Sequence, residues 1–151
     1  MKNSAYFAAA LCISLVGSVG SAAADDKSDA NKRLVMDAVK MLFIDHKVDQ
    51  AVDTYFAPGY IQHNPLVPTG SEPMRGFFKG FYAANPGSTV EISHVVADGD
   101  LVAVHYRFKV KPDDRGMAVV DIFRVADGKI QEHWDVAEPV PEKSANTNGM
   151  F

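Results

Sequence analysis

The sequence predicts an α+β domain, with helices first and an antiparallel sheet after them. Three observations predict it. Apolar residues recur at spacings of three and four as far as Phe81, and at spacings of two from Thr89 onward. Turn signals separate the periodic runs: Pro58-Gly59, Asn64-Pro65, Asn85-Pro86-Gly87 and two copies of Val-Ala-Asp-Gly. The chain has 151 residues, 47% of them hydrophobic and 23% charged, which is the material of one ordinary core. Helices segregated from an antiparallel run of strands make the α+β pattern.

The N-terminus stands apart from that pattern. Lys2 precedes an apolar stretch from Ala5 to Val19, and small residues follow, ending in Ala22-x-Ala24. Charge, length and the small-x-small site predict a signal peptide over residues 1–24, cleaved after Ala24. The stretch is short for a membrane span, which takes about 20 apolar residues. Leu11 stands before Cys12 where lipoprotein processing expects a small residue. The expectation is therefore an exported protein, periplasmic or secreted, of residues 25–151, with no membrane association after cleavage. Loss of Lys2 moves the net charge one unit below the −4 of the full chain. Loss of Cys12, the single cysteine, leaves no disulfide and no thiol nucleophile. The charges are scattered, with no basic run, so no nucleic-acid partner is expected.

The first helix is expected from Ser28, with Leu34, Val35, Ala38, Val39, Leu42 and Phe43 on one face. A second runs over 48–56 and stops at Pro58-Gly59. Tyr60 to His63 is a short extended piece ended by Asn64-Pro65. A third helix starts at Ser71, with Pro73 in its first turn, where a missing N–H costs little. Strands are expected over 89–96, 101–110, 117–125 and 129–137. The tail from Lys143 is polar until Met150-Phe151. Those two residues are expected on an apolar sheet face of Ile122, Ile130 and Trp134, near the edge of a homodimer.

The last hairpin decides which polar residues meet. With a two-residue loop, Asp127-Gly128, Asp121 pairs with Trp134, and Asp121 and Asp135 face opposite sides. With a three-residue loop, Ala126 to Gly128, Asp121 pairs with His133 and Asp135 with Val119. The second register is preferred, because it puts Val119, Asp121, Phe123, Gln131, His133 and Asp135 on one mixed face. The other face then carries the apolar Val120, Ile122, Ile130, Trp134 and Val136. Two carboxylates and a histidine among apolar neighbours can move protons, since burial disfavours a carboxylate's charged form and tunes it for acid/base work. His63-Asn64, between the short strand and a Pro-containing loop, could orient a substrate oxygen. A zinc site from His63, His133 and Asp135 has no supporting spacing, so no metal is assigned. There is no Gly-rich phosphate loop and no G-x-S-x-G elbow.

Three segments carry a family resemblance: Tyr60-Ile61-Gln62-His63-Asn64-Pro65, Val119-Val120-Asp121-Ile122-Phe123-Arg124, and Gly128-Lys129-Ile130-Gln131-Glu132-His133-Trp134-Asp135. In this order they resemble the SnoaL-like polyketide cyclases of the NTF2-like superfamily. The resemblance implies a cone, a curved sheet wrapped round a pocket and closed by helices. It implies ring closure by intramolecular aldol condensation without metal or cofactor. Asp135 occupies the place of the family's acid/base aspartate, and Asp121 that of a polar partner on the preceding strand, a histidine in the cyclases. The expected catalytic set is Asp135, Asp121 and His63. The expected substrate contacts are His133, Asn64, Val119, Phe123 and Gln131, around a small apolar or carbonyl-containing ligand. The superfamily also holds proteins with no catalytic role, so a binding protein with the same pocket is the other expectation.

Overall fold

The structure is a computed structural model and describes residues 19–151. Most of the expected signal peptide, with Cys12, lies outside the described residues. Helix α1 spans Val19–Val39 and widens into a π-helical turn at Lys40–Ile44, where the Asp45 N–H donates to Lys40 O. Then come α2 (Val48–Tyr55), β1 (Phe56–Gln62) and α3 (Ser71–Ala84). Strands β2 (Thr89–Asp98), β3 (Leu101–Lys109), β4 (Met117–Ala126) and β5 (Lys129–Pro139) complete the domain. Helix α1 begins earlier than the expected Ser28. Among the described residues, no helix is long and apolar enough to cross a membrane.

The sheet order is β1-β5-β4-β3-β2. Strands β2 to β5 form an antiparallel meander, as expected. The sheet as a whole is mixed rather than antiparallel, because β1 pairs parallel with β5. Its Pro58-Gly59 is not the turn that stops α2, which ends at Tyr55 and passes directly into the strand. It lies inside β1, where the register with β5 shifts between Phe56 and Ile61, and a proline without an N–H is tolerated on such an edge strand.

The helices pack against one face of the sheet. Val35, Ala38, Val39 and Leu42 of the first helical segment are buried against Val102 and Val104 of β3 and Val125 and Ile130 of the last hairpin, in one apolar cluster. Two side chains fix the entry of α1: Asn31 Nδ2 donates to Gly99 O at 2.8 Å, and Gly99 N–H donates to Ser28 Oγ at 2.9 Å. Both tie the helix to the β2–β3 turn.

The β4–β5 hairpin follows neither expected register. Its loop has two residues, Asp127 and Gly128, both at positive φ (53° and 68°), and Ala126 pairs with Lys129. That φ pair is the tight hairpin turn that matches strand twist. The ladder then slips between Arg124 and Val125: Val125 pairs with Ile130, but Arg124 pairs with Glu132. One extra residue, Gln131, is absorbed as a bulge, which flips the facing of all that follows. Asp121 therefore pairs with Asp135, not with His133 or Trp134, and Phe123 pairs with His133. The two-residue turn itself, by pairing Ile130 with buried Val125, turns Ile130 inward. It is fully buried, so it is no part of the outer apolar face.

The C-terminal tail also departs from the expectation. Phe151 does not reach Ile122, Ile130 or Trp134. Its ring stacks on His105 of β3, with centroids 5.7 Å apart, and Arg107 lies 4.2 Å over it.

Candidate functional site

The helix-facing side of the sheet does not close completely on the helices. A cavity of about 290 Å³ remains between the inner faces of β2 to β5, helix α3 and the segment after β1. Its walls are apolar and aromatic, from Phe43, Phe77, Phe78 and Phe81 to Tyr82 and Phe108. The spacing that marked α3 as amphipathic is thus shared between core and cavity: Met74 is buried, while Phe77, Phe78 and Phe81 line the space. Apart from the Tyr82 hydroxyl, the polar groups of the lining are linked by contacts to one another. They are Gln62 and Asn64 at and just past the end of β1, Tyr106 on β3, Asp121 on β4, and His133 and Asp135 on β5.

Each of these groups is held from behind. Asp121 is 1% exposed. Tyr106 Oη donates to its Oδ2 at 3.0 Å, and His133 Nε2 lies 3.3 Å from its Oδ1. Burial pushes the Asp121 carboxyl above its ordinary range, and the His133 contact opposes that rise without cancelling it. Burial likewise raises the Tyr106 and Tyr60 hydroxyls, with the nearby Asp121 charge adding to both. These phenols therefore stay protonated.

Asp135 is held by Asn64, whose Nδ2 donates to its Oδ2 at 2.6 Å. The direction is fixed, because Asn64 Oδ1 already accepts the Leu66 N–H at 2.8 Å. His133 is held by Gln62: Nδ1 lies 2.8 Å from Gln62 Oε1. The same oxygen accepts the Asn64 N–H at 2.9 Å, while Gln62 Nε2 donates to Tyr60 Oη at 3.0 Å.

Asp121 Oδ1 and His133 Nε2 thus lie next to each other, 3.3 Å apart. The His133 Nε2 is buried and makes no hydrogen bond of good geometry. Asp121, His133 and Asp135 each offer one ligand atom within 4.8 Å of the others, so a cation could be held by these three. The zinc set considered from sequence, with His63 in it, is not assembled.

A family model for the SnoaL-like domain matches residues 37–133. The chain belongs to the SnoaL-like family. No curated protein matches it. Solved structures similar to this SnoaL-like chain include a candidate ketosteroid isomerase from Kribbella flavida, at 17% identity and a TM-score of 0.65, covering 80% of this chain and 86% of that one. A candidate polyketide cyclase from Acidithiobacillus ferrooxidans shares 19% identity at a TM-score of 0.61, covering 72% and 88%. An NTF2-like protein of unknown function from Mesorhizobium loti shares 21% at 0.62, covering 76% and 95%. At these identities the likeness is one of fold, and it agrees with the α+β cone that the family resemblance implies.

The cavity brings together Asp121, Asp135, His133, Asn64 and Val119 of the residues expected from sequence. It leaves out three. Phe123 is 2% exposed and sits in the core beside His133, with ring centroids 4.9 Å apart. Gln131 is the bulge residue, and its Nε2 donates to Ala126 O at 2.9 Å on the turn. The His63 side chain is 42% exposed, bonds Glu132 at 2.8 Å and stacks on Trp134 at 4.8 Å. It follows Gln62 on an extended segment, so it points the other way. Sequence reasoning missed Gln62, Tyr60 and Tyr106. Tyr60 and Gln62 alternate with Ile61 and His63, and that alternation was the available signal for the inward face.

Proposed function

We propose that this SnoaL-like chain is a cofactor-independent acid/base enzyme acting on a small carbonyl compound, by an aldol or isomerase type of proton transfer. The observation that carries this reading is the pairing of a desolvated Asp121 with His133, directly across from Asp135, on the one polar patch of an apolar cavity. In the reaction, Asp135 takes a proton from the carbon next to the carbonyl. The carbonyl oxygen, becoming an enolate oxygen, receives a hydrogen bond or proton from the Asp121–His133 pair. In an unsaturated ketone Asp135 then returns its proton to the far carbon of the dienol while the carbonyl re-forms and the Asp121–His133 pair recovers any proton it gave, which is isomerisation. Alternatively, the enol carbon attacks a second carbonyl of the same molecule and that oxygen takes the proton, which closes a ring. A positioned acid or base of this kind contributes roughly 10²–10⁴-fold.

The aromatic walls favour a second reading, since they suffice to hold an apolar ligand without chemistry. One experiment addresses both: the compound retained through purification is identified by mass spectrometry, then incubated with fresh protein. A carbonyl compound that is converted supports the enzyme, and a compound returned unchanged supports the binder.

The reading includes export and self-association. N-terminal sequencing of exported material should begin at Asp25. A homodimer would cover part of the outer sheet face, where Val136 is 71% exposed and Ile122 37%, and sedimentation should give twice the chain mass.

A further inference from the structure

We infer that Gln62 is the positioning residue of the site: it holds the His133 ring with its proton on Nδ1 and so confines the movable proton to the space between His133 Nε2 and Asp121 Oδ1. The inference starts from a group that cannot change its role. The Asn64 backbone N–H is a donor under all conditions, and it lies 2.9 Å from one end of the Gln62 amide. That end must be the oxygen. The other end must then be the NH₂, and it meets Tyr60 Oη at 3.0 Å, which can accept. The orientation of the amide is thereby settled by the hydrogen bonds themselves.

The consequence falls on His133. Its Nδ1 sits 2.8 Å from the same Gln62 oxygen. Two acceptors do not bond each other, so Nδ1 carries a hydrogen whether the ring is neutral or charged. A neutral ring then has its lone pair on Nε2, 3.3 Å from Asp121 Oδ1, and a proton between those two atoms has to come from the carboxyl. A charged ring has that proton on Nε2 instead. Either way Nε2 and Asp121 Oδ1 are the two atoms between which a proton can pass, at the polar patch of the cavity.

With Nδ1 bare, the hydrogen would be fixed on Nε2 and Gln62 Oε1 would face a lone pair. The same β1 segment thus orients both acid/base groups: Gln62 acts through His133, and Asn64 acts on Asp135. The catalytic consequence rests on the proposed function, but the proton's location on the ring does not.

The test is a pH titration of the full chain labelled with ¹⁵N-histidine, read by the two ring nitrogens of His133. Three proteins are compared: wild type, Gln62→Met and Gln62→Glu. The Met variant removes the acceptor, while the Glu variant keeps an oxygen in its place and controls for loosening of the Asn64 turn. In wild type, Nδ1 should stay protonated at every pH at which the fold persists, and Nε2 should be the only ring nitrogen that changes state. Gln62→Met should make the Nε2–H form the major neutral form, and Gln62→Glu should restore Nδ1–H. Loss of the proton from Nδ1 in wild type would overturn the inference. So would a Met variant that titrates like wild type, or a Glu variant that loses the Nδ1 proton. If Nδ1 behaves as expected while no carbonyl compound is turned over, the enzyme reading fails and the role of Gln62 stands.

Discussion

Asp121 and Asp135 are cross-strand partners on β4 and β5, and both face the cavity. Two carboxylates directly opposite in a ladder repel unless one of them is neutral or compensated. Here the compensation is local and unequal. Asp121 is buried, with a tyrosine hydroxyl on one oxygen and a histidine against the other. Asp135 is partly exposed, with an asparagine amide on one oxygen.

Asp121 should make the protein less stable as pH rises. Burial raises its folded-state pKa above the usual 3.8, so the folded chain keeps this proton after the unfolded chain has lost it. The stabilisation from this group is complete below about pH 4 and declines as pH climbs through the folded value. Asp121→Asn keeps the shape and removes the titration. The melting temperature of the variant minus that of wild type should therefore grow between pH 4 and pH 7. Thermal melts across that range check it, and a difference that shrinks with rising pH would be inconsistent with a raised Asp121.

Two glycines should respond differently to alanine. Gly128 is at φ 68° with open space where a Cβ would go, so Gly128→Ala should cost about 1 kcal/mol, for backbone conformation alone. Gly116 is at φ 83°, and a Cβ there would lie 2.5 Å from Phe108 O. Gly116→Ala should cost more, because the β3 backbone must move as well. Urea denaturation of both variants measures the order, and the reverse order would contradict the observed β3–β4 connection.

The C-terminal residue should contribute to stability from an unexpected place. Phe151→Ala removes the ring from between His105 and Arg107. A cation over an aromatic face at a part-exposed site is worth about 0.5–1 kcal/mol. A loss of that size should appear in thermal melts of Phe151→Ala and be absent in Asn148→Ala. Equal melting of Phe151→Ala and wild type would show the tail to be undocked in solution.

The element order was legible because the sequence periods differ so plainly: three and four through α3, two from β2 onward. The inward facing of Asp121, His133 and Asp135 was also legible, but through the wrong mechanism. A three-residue loop and a two-residue loop followed by a bulge at Gln131 give these three residues the same facing. They differ in what pairs with Asp121 and in where Ile130 points. A bulge leaves no reliable mark in composition, whereas Asp127-Gly128 does mark the tight turn. The parallel partner of β1 was illegible for another reason. The Tyr60–His63 piece has no hairpin to either neighbour, and pairing across some seventy residues is set by helix packing rather than by local pattern. His63 stands out as the titratable residue of its segment, yet the inward positions are those of Tyr60 and Gln62, and the role of Gln62 depends on a partner from β5.

The measurement that bears most directly on the proposed chemistry is deuterium uptake at the carbon next to a carbonyl. β-Tetralone, a small aromatic ketone, is incubated in D₂O with wild type and with Asp135→Asn, and loss of its α-proton signals is followed by NMR. The proposed acid/base role predicts exchange at least ~10²-fold faster with wild type than in matched buffer. It predicts a fall of the same order in Asp135→Asn, with binding of the ketone little changed. Wild-type exchange no faster than buffer, or equal exchange in the variant, would contradict the role given to Asp135.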